Sequence, residues 1–172
     1  MKAFASFFLV LPIIILGQTT NTDWKTFDKS DYSINYPVAW ELNQTGQMGT
    51  SFVLFSPLES KQDKFKENVN LVIQNLAGKN IDLNKFTEIS ENQIKTLVPN
   101  SNLIESKRVK KGREYHKIIY TASRGIFHLK FEQYYWVINN KAYILTFTSE
   151  QTKFEGFKSV GEKILNSFKL KG

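Results

Sequence analysis

The chain has 172 residues, with 23 Lys or Arg against 16 Asp or Glu, two His and no Cys. That length suits one domain, which buries roughly 68–70% of its unfolded surface and needs no metal or disulfide staple. The missing cysteine excludes a disulfide framework, a thiol nucleophile, thiolate metal ligands and a bacterial lipoprotein anchor, whose lipid requires a Cys just after the leader.

Met1-Lys2 is a short positive start, residues 3–16 form an almost unbroken apolar run, and Gly17-Gln18 ends it. This is the layout of a secretory signal peptide, and the run is shorter than the roughly 20 apolar residues of a membrane span. The expected division is therefore a leader over 1–17, cut after Gly17, and one domain over 18–172. The expected compartment is the periplasm or the exterior, without a spanning helix. Losing Lys2 leaves 22 basic and 16 acidic residues, a net charge of +6.

Residues 24–27 suit a short first strand. Tyr32-Ser33-Ile34-Asn35-Tyr36 alternates as a half-buried strand does, and Pro37 stops it. Gln44 to Thr50 contains two glycines and reads as a loop. Strands are expected over 51–56 and 67–76, the latter with Val69, Leu71 and Ile73 on one side. The polar stretch 58–66 between them reads as a mobile loop. Asp82 is placed to cap a helix on which Leu83, Phe86, Ile89, Ile94 and Leu97 recur at helical spacing. Residues 103–110 and 113–121 form a hairpin around Lys111-Gly112. Residues 127–138 and 142–148 form another around Asn139-Asn140, where Asn tolerates the positive φ of a primed turn. Thr152-Lys153-Phe154-Glu155 has capping-box spacing ahead of a final helix with Phe154, Phe157, Val160, Ile164, Leu165 and Phe168 on one stripe.

Hairpins impose antiparallel pairing, and two amphipathic helices need a sheet to cover. The strand over 127–138 is apolar on both parities, so it belongs inside the sheet with layers on both sides. The expected fold is α+β: an α-β-α sandwich with a central, mostly antiparallel sheet and the two helices on opposite faces.

Chemistry is sparse. His116 and His128 lie on two arms of a hairpin, offset by a few residues. A metal would need them on one face with Glu114 or Glu132, and the plainer reading is two strand histidines without metal. There is no G-x-S-x-G elbow, and Gly46-Gln47-Met48-Gly49 lacks the Lys and helix of a phosphate loop. The densest basic cluster, 107–113, reads as the charged tip of a hairpin rather than as a nucleic-acid site. No cofactor is expected. Trp40, Tyr134 and Trp136, with His128, are the candidate ligand- or partner-binding residues, against a core role for the aromatics. Tyr135 points to the face opposite Tyr134 and Trp136.

Several ordered stretches resemble the PsbP-like family. Tyr32-Ser33-Ile34-Asn35-Tyr36-Pro37-Val38-Ala39-Trp40 is similar to its opening Y-x-I-x-Y-P-x-x-W pattern. Glu67-Asn68-Val69-Asn70-Leu71-Val72-Ile73 resembles the strand ahead of its first helix. Gly112 sits where a turn glycine is expected. Lys141-Ala142-Tyr143-Ile144-Leu145-Thr146-Phe147 and Ile164-Leu165-Asn166-Ser167-Phe168 resemble its closing strand and helix. The likeness covers about residues 24–170. It implies an α-β-α sandwich and a role in binding rather than catalysis, and it carries no catalytic motif onto this chain. The function expected is that of an exported, non-enzymatic binding or accessory protein of the cell envelope. The alternative is a carrier of a small apolar ligand or lipid between sheet and helix. The partner is an envelope protein or a small ligand, not nucleic acid.

Overall fold

The computed structural model describes residues 23–171. The leader expected over 1–17 lies outside them. Chain order gives β1 (Trp24–Asp28), β2 (Tyr32–Pro37), β3 (Glu41–Asn43), a 3-10 turn at Gln47–Gly49, β4 (Thr50–Phe55) and β5 (Asn68–Asn75). Helix α1 (Leu83–Leu97) follows, then β6 (Asn102–Val109), β7 (Tyr115–Arg124), β8 (Phe127–Ile138) and β9 (Lys141–Glu150). Helix α2 (Phe154–Ser167) and β10 (Lys169–Leu170) close the chain.

Seven strands form the central sheet in the order β3-β4-β5-β9-β8-β7-β6, and every neighbouring pair is antiparallel. The hairpins follow from local chemistry. Asn139 and Asn140 adopt φ of 50° and 57° between β8 and β9, and Gly112 takes φ 69° between β6 and β7. Asn accepts this left-handed region, and Gly enters it without a Cβ clash. The sandwich is thus as expected, with one refinement: β1 and β2 do not enter the central sheet. They pair with each other and with β10 in a second sheet of three strands. Ser167 ties that sheet to α2, its Oγ accepting from Asn35 N–H at 2.9 Å.

The strand alternation sorts the core into two clusters. One gathers Val69, Leu71, Trp136, Leu145, Phe147 and the inner residues of α2 together with Ile34, Tyr36 and Trp40 of the small-sheet side. The other places Phe86 and Ile94 of α1 against Ile118, Tyr120, Tyr135 and Ala142. The helices therefore lie on opposite faces. In α2, Gly161 sits over the ring of Phe147, so close that a Cβ there would approach ring carbons to 2.7 Å.

The helix starts differ. Asp82 caps α1 as expected, accepting from Lys85 N–H at 2.8 Å. The capping box expected at α2 does not form. Lys153, with helical φ −98° and ψ −12°, occupies the cap position and makes no side-chain cap bond. Thr152 therefore lies one residue too early, and Glu155 turns to Lys130 instead, at 3.2 Å. The loop 58–66 is also not the mobile loop that its polarity suggests. Lys153 Nζ lies 3.1 Å from Glu59 and 2.9 Å from Asp63, Asp63 accepts from Glu59 N–H and Phe65 N–H, and Phe65 packs on Phe127 at 5.2 Å.

Candidate functional site

The two faces of the central sheet are covered unequally. One carries α2 and the small sheet. The other carries only α1, which packs against β6, β7 and β8. A helix is about 10 Å wide, whereas seven strands at about 4.8 Å spacing span close to 29 Å. One helix therefore leaves the β4-β5-β9 part of its face open. There, walled by residues of β7 and β8, lies a trough of about 590 Å³.

Sequence parity builds its floor. Along β5, Val69 and Leu71 face the α2 core, while Asn68, Asn70, Val72 and Gln74 face the trough. Pairing places Asn68 opposite Thr148, Asn70 opposite Thr146 and Val72 opposite Ile144, and Gln133 of β8 lies beside Thr146. The floor amides hydrogen-bond to neighbouring floor and rim groups. Gln133 Nε2 donates to Thr146 Oγ1 at 3.1 Å, Tyr135 O–H donates to Gln133, and Asn68 Nδ2 donates to Lys66 O at 3.2 Å. Tyr120 and Phe131 stack at 4.7 Å with a 10° interplanar angle at one wall. Burial pushes the Tyr120 phenol up to about 12, so it stays neutral at physiological pH.

The rim comes from two loops. Lys64, Phe65 and Lys66 descend from the loop that Lys153 holds, and the 3-10 turn presents Met48, which receives Arg124 Nη2 at Sδ, 3.4 Å away. No acidic side chain lines the trough among the described residues.

The residues picked out from the sequence lie elsewhere. Trp40 is buried in the α2-side core. Tyr134 and Trp136 are 4% and 6% exposed and form the inner wall of a separate slot of about 630 Å³ below Lys111, Arg113 and Lys169. Tyr115 packs on both with tilted rings, centroids 4.5 and 5.3 Å away. Tyr135 does face α1, edge-on to Phe86 at 5.4 Å. His128 is on the exposed end of β8, with Nδ1 3.2 Å from Ser123 Oγ. His116 pairs across the hairpin with Tyr135, seven positions along β8 from His128, and on the other face of the sheet. The two therefore cannot share a metal ion. Among the described residues no group of three or more His, Asp or Glu is placed to hold one.

Two further clusters, one partly exposed and one buried, have chemistry of their own. Ser106 Oγ donates to Glu91 and sits 2.7 Å from His116 Nε2. With its proton on Glu91, the serine can only accept from Nε2–H, which leaves Nδ1 as a buried acceptor without a hydrogen-bond partner. A relay triad needs the carboxylate on Nδ1 and the serine proton on Nε2, so this order is wrong for acyl transfer. Burial and then Arg108 push the His116 pKa down, which keeps the ring neutral. On the α2 face, the fully buried Glu132 pairs with Lys117 at 2.8 Å and accepts from Tyr134 O–H at 3.1 Å.

A family model described as PsbP-like protein matches residues 17–170. The chain belongs to the PsbP-like family. Solved structures agree on the fold. Cyanobacterial PsbP (CyanoP) from Synechocystis superposes with a TM-score of 0.62 at 14% identity, covering 90% of this chain and 96% of that one. LpqN, involved in cell envelope biogenesis of Mycobacterium tuberculosis, gives 0.65 at 10% identity, covering 87% and 91%. The Saccharomyces cerevisiae Ran-binding protein Mog1p gives 0.58 at 8% identity, covering 87% and 96%. No curated protein matches the sequence. At such identities the likeness is one of fold, so the trough of this PsbP-like chain has to be judged from its own side chains. Sequence reasoning missed it, although the polar parity of Asn68, Asn70, Gln74, Thr146 and Thr148 was there to be read.

Proposed function

We propose that this PsbP-like protein is an exported, non-catalytic binding protein of the cell envelope, and that the trough is its binding surface. The observation that carries the reading is the half-covered sheet. A face left open by a helix normally loses its apolar residues to solvation. Here Phe55, Val72, Phe131 and Ile144 stay half-exposed among the amides, beside the buried Val53 and Leu129, under a rim held in place by the Lys153 ion pairs. Concave sites with apolar walls and a few placed polar groups are the usual form of small-molecule pockets. The leader, with a net charge of +6 on the mature chain, supports an envelope setting where anionic surfaces abound. LpqN, which shares the fold, is named for a part in envelope biogenesis, in keeping with that setting.

The absence of cysteine makes a direct test simple. Asn70→Cys, labelled with an environment-sensitive fluorophore, reports on the trough floor, and Ser159→Cys on the exposed side of α2, across the sheet, serves as control. A low-molecular-mass extract of the envelope should shift the emission of the first and not of the second. Equal response, or none at Asn70→Cys, would remove the trough as the binding surface.

A further inference from the structure

We propose that the trough takes a single-chain anionic amphiphile, with its head at Lys64 and Arg124 and its tail running along the floor and beneath α1. This deepens the binding reading above and depends on it. Three observations converge. First, charge is segregated. The lining's cations, Lys64, Lys66 and Arg124, all come from the loop end, where Asn68 pairs with Thr148, and no carboxylate lines the trough among the described residues. Lys66 is engaged with Glu41 at 3.1 Å, so Lys64 and Arg124 are the head-group cations.

Second, the trough does not stop at the helix. Gln74, Gln133 and Ile144 also line a cavity of about 380 Å³ between α1 and the sheet, walled by Leu76, Phe86 and Ile94. From Asn68 to Gln74 the floor is roughly 20 Å long at about 3.3 Å per strand residue, room for an extended acyl chain. Third, several floor amides are already engaged with their neighbours. Gln133 is bonded to Thr146 and Tyr135, and Asn70 Nδ2 donates to Asn68 Oδ1 at 3.4 Å. An apolar tail laid over them leaves those bonds intact, whereas a glycan would have to break them to be recognised. Met48, 68% exposed at the rim beside Arg124, adds a soft apolar cover able to adapt to a flexible chain.

The test is fluorescence titration of the whole protein with cis-parinaric acid and with its neutral methyl ester. The acid should bind one per chain, at least tenfold more tightly than the ester, equivalent to about 1.4 kcal/mol. The double variant Lys64→Glu with Arg124→Glu, at exposed positions, should cancel that preference while leaving ester binding and the melting temperature unchanged. Ile144→Trp, which fills the passage toward α1, should weaken both. Displacement by palmitate or by lysophosphatidylglycerol then identifies the source of the head group. Equal binding of acid and ester, an unaffected preference in the charge-reversed variant, or displacement by neither competitor overturns the proposal. The two readings separate cleanly. If the labelled Asn70→Cys protein still responds to envelope extract, only the ligand class falls; if it is silent, the trough reading falls as well.

Discussion

Two glycines in α2 should respond to the same substitution with opposite sign. Ala is favoured over Gly inside a helix by about 1 kcal/mol. At Gly156 a Cβ meets nothing within 4 Å, so Gly156→Ala should stabilise by up to about 1 kcal/mol, the full value being reduced in the first helical turn. At Gly161 the new Cβ would lie 2.7–2.8 Å from three carbons of the Phe147 ring. That ring is fully buried and held against Phe154 at 5.2 Å, so it cannot swing away. Overpacking of this kind costs typically about 1–3 kcal/mol, and the rigid partner favours the upper part of the range. Subtracting the helical gain leaves a net loss of about 1–2 kcal/mol for Gly161→Ala. The two variants should differ by about 2 kcal/mol, which at a urea slope of roughly 2 kcal/mol/M separates their midpoints by about 1 M. Equilibrium urea unfolding with unchanged slopes is the assay. A Gly161→Ala protein as stable as the parent would show that α2 does not rest on β9 through this contact.

Removing Lys117 by Lys117→Met should cost about 3 kcal/mol, because Glu132 is then left buried without its cation. Adding Glu132→Leu should recover most of it; a single-variant loss below about 1 kcal/mol would mean that water reaches Glu132. His116 is held below its ordinary 6.5, so the unfolded chain binds the extra proton. Stability should therefore fall as pH drops through 6.5 and level off below the folded-state value, and His116→Gln should flatten that slope in pH-dependent melts. Asp63 is lowered to about 2 by its hydrogen bonds to Lys153 and to backbone N–H groups. Its contribution is present above 3.8 and disappears as pH falls toward about 2, so Lys153→Met should shrink the acid-side loss. The same variant should speed amide exchange across 59–65; unchanged exchange would show that the loop is held by other contacts.

Much of the architecture was legible because it rests on local chemistry. The Asn139-Asn140 turn, the Asp82 cap and the double-sided apolar pattern of β8 each specify their element with side chains within a few residues. What was not legible depends on contacts distant in sequence. Whether β1 and β2 join the large sheet is decided by Lys169–Leu170, more than 130 residues away, pairing with Tyr32 and Ser33. Thr152 and Glu155 have the spacing of a capping box, but Lys130 captures the glutamate across the surface. Loop 58–66 looked unconstrained because its anchor, Lys153, comes from the cap position of α2, far along the chain. Aromatic residues such as Tyr134 and Trp136 stand out in a sequence, while the trough is written largely in Asn, Gln and Thr. Those residues look like ordinary solvent-facing positions until the limited reach of α1 is known.

The most direct measurement is native mass spectrometry of the protein purified from its own cells without detergent. The account predicts a retained small molecule at one per chain, anionic and with an apolar chain, that is lost in the Ile144→Trp variant. A bare polypeptide mass, or a bound species retained unchanged by Ile144→Trp, would contradict it.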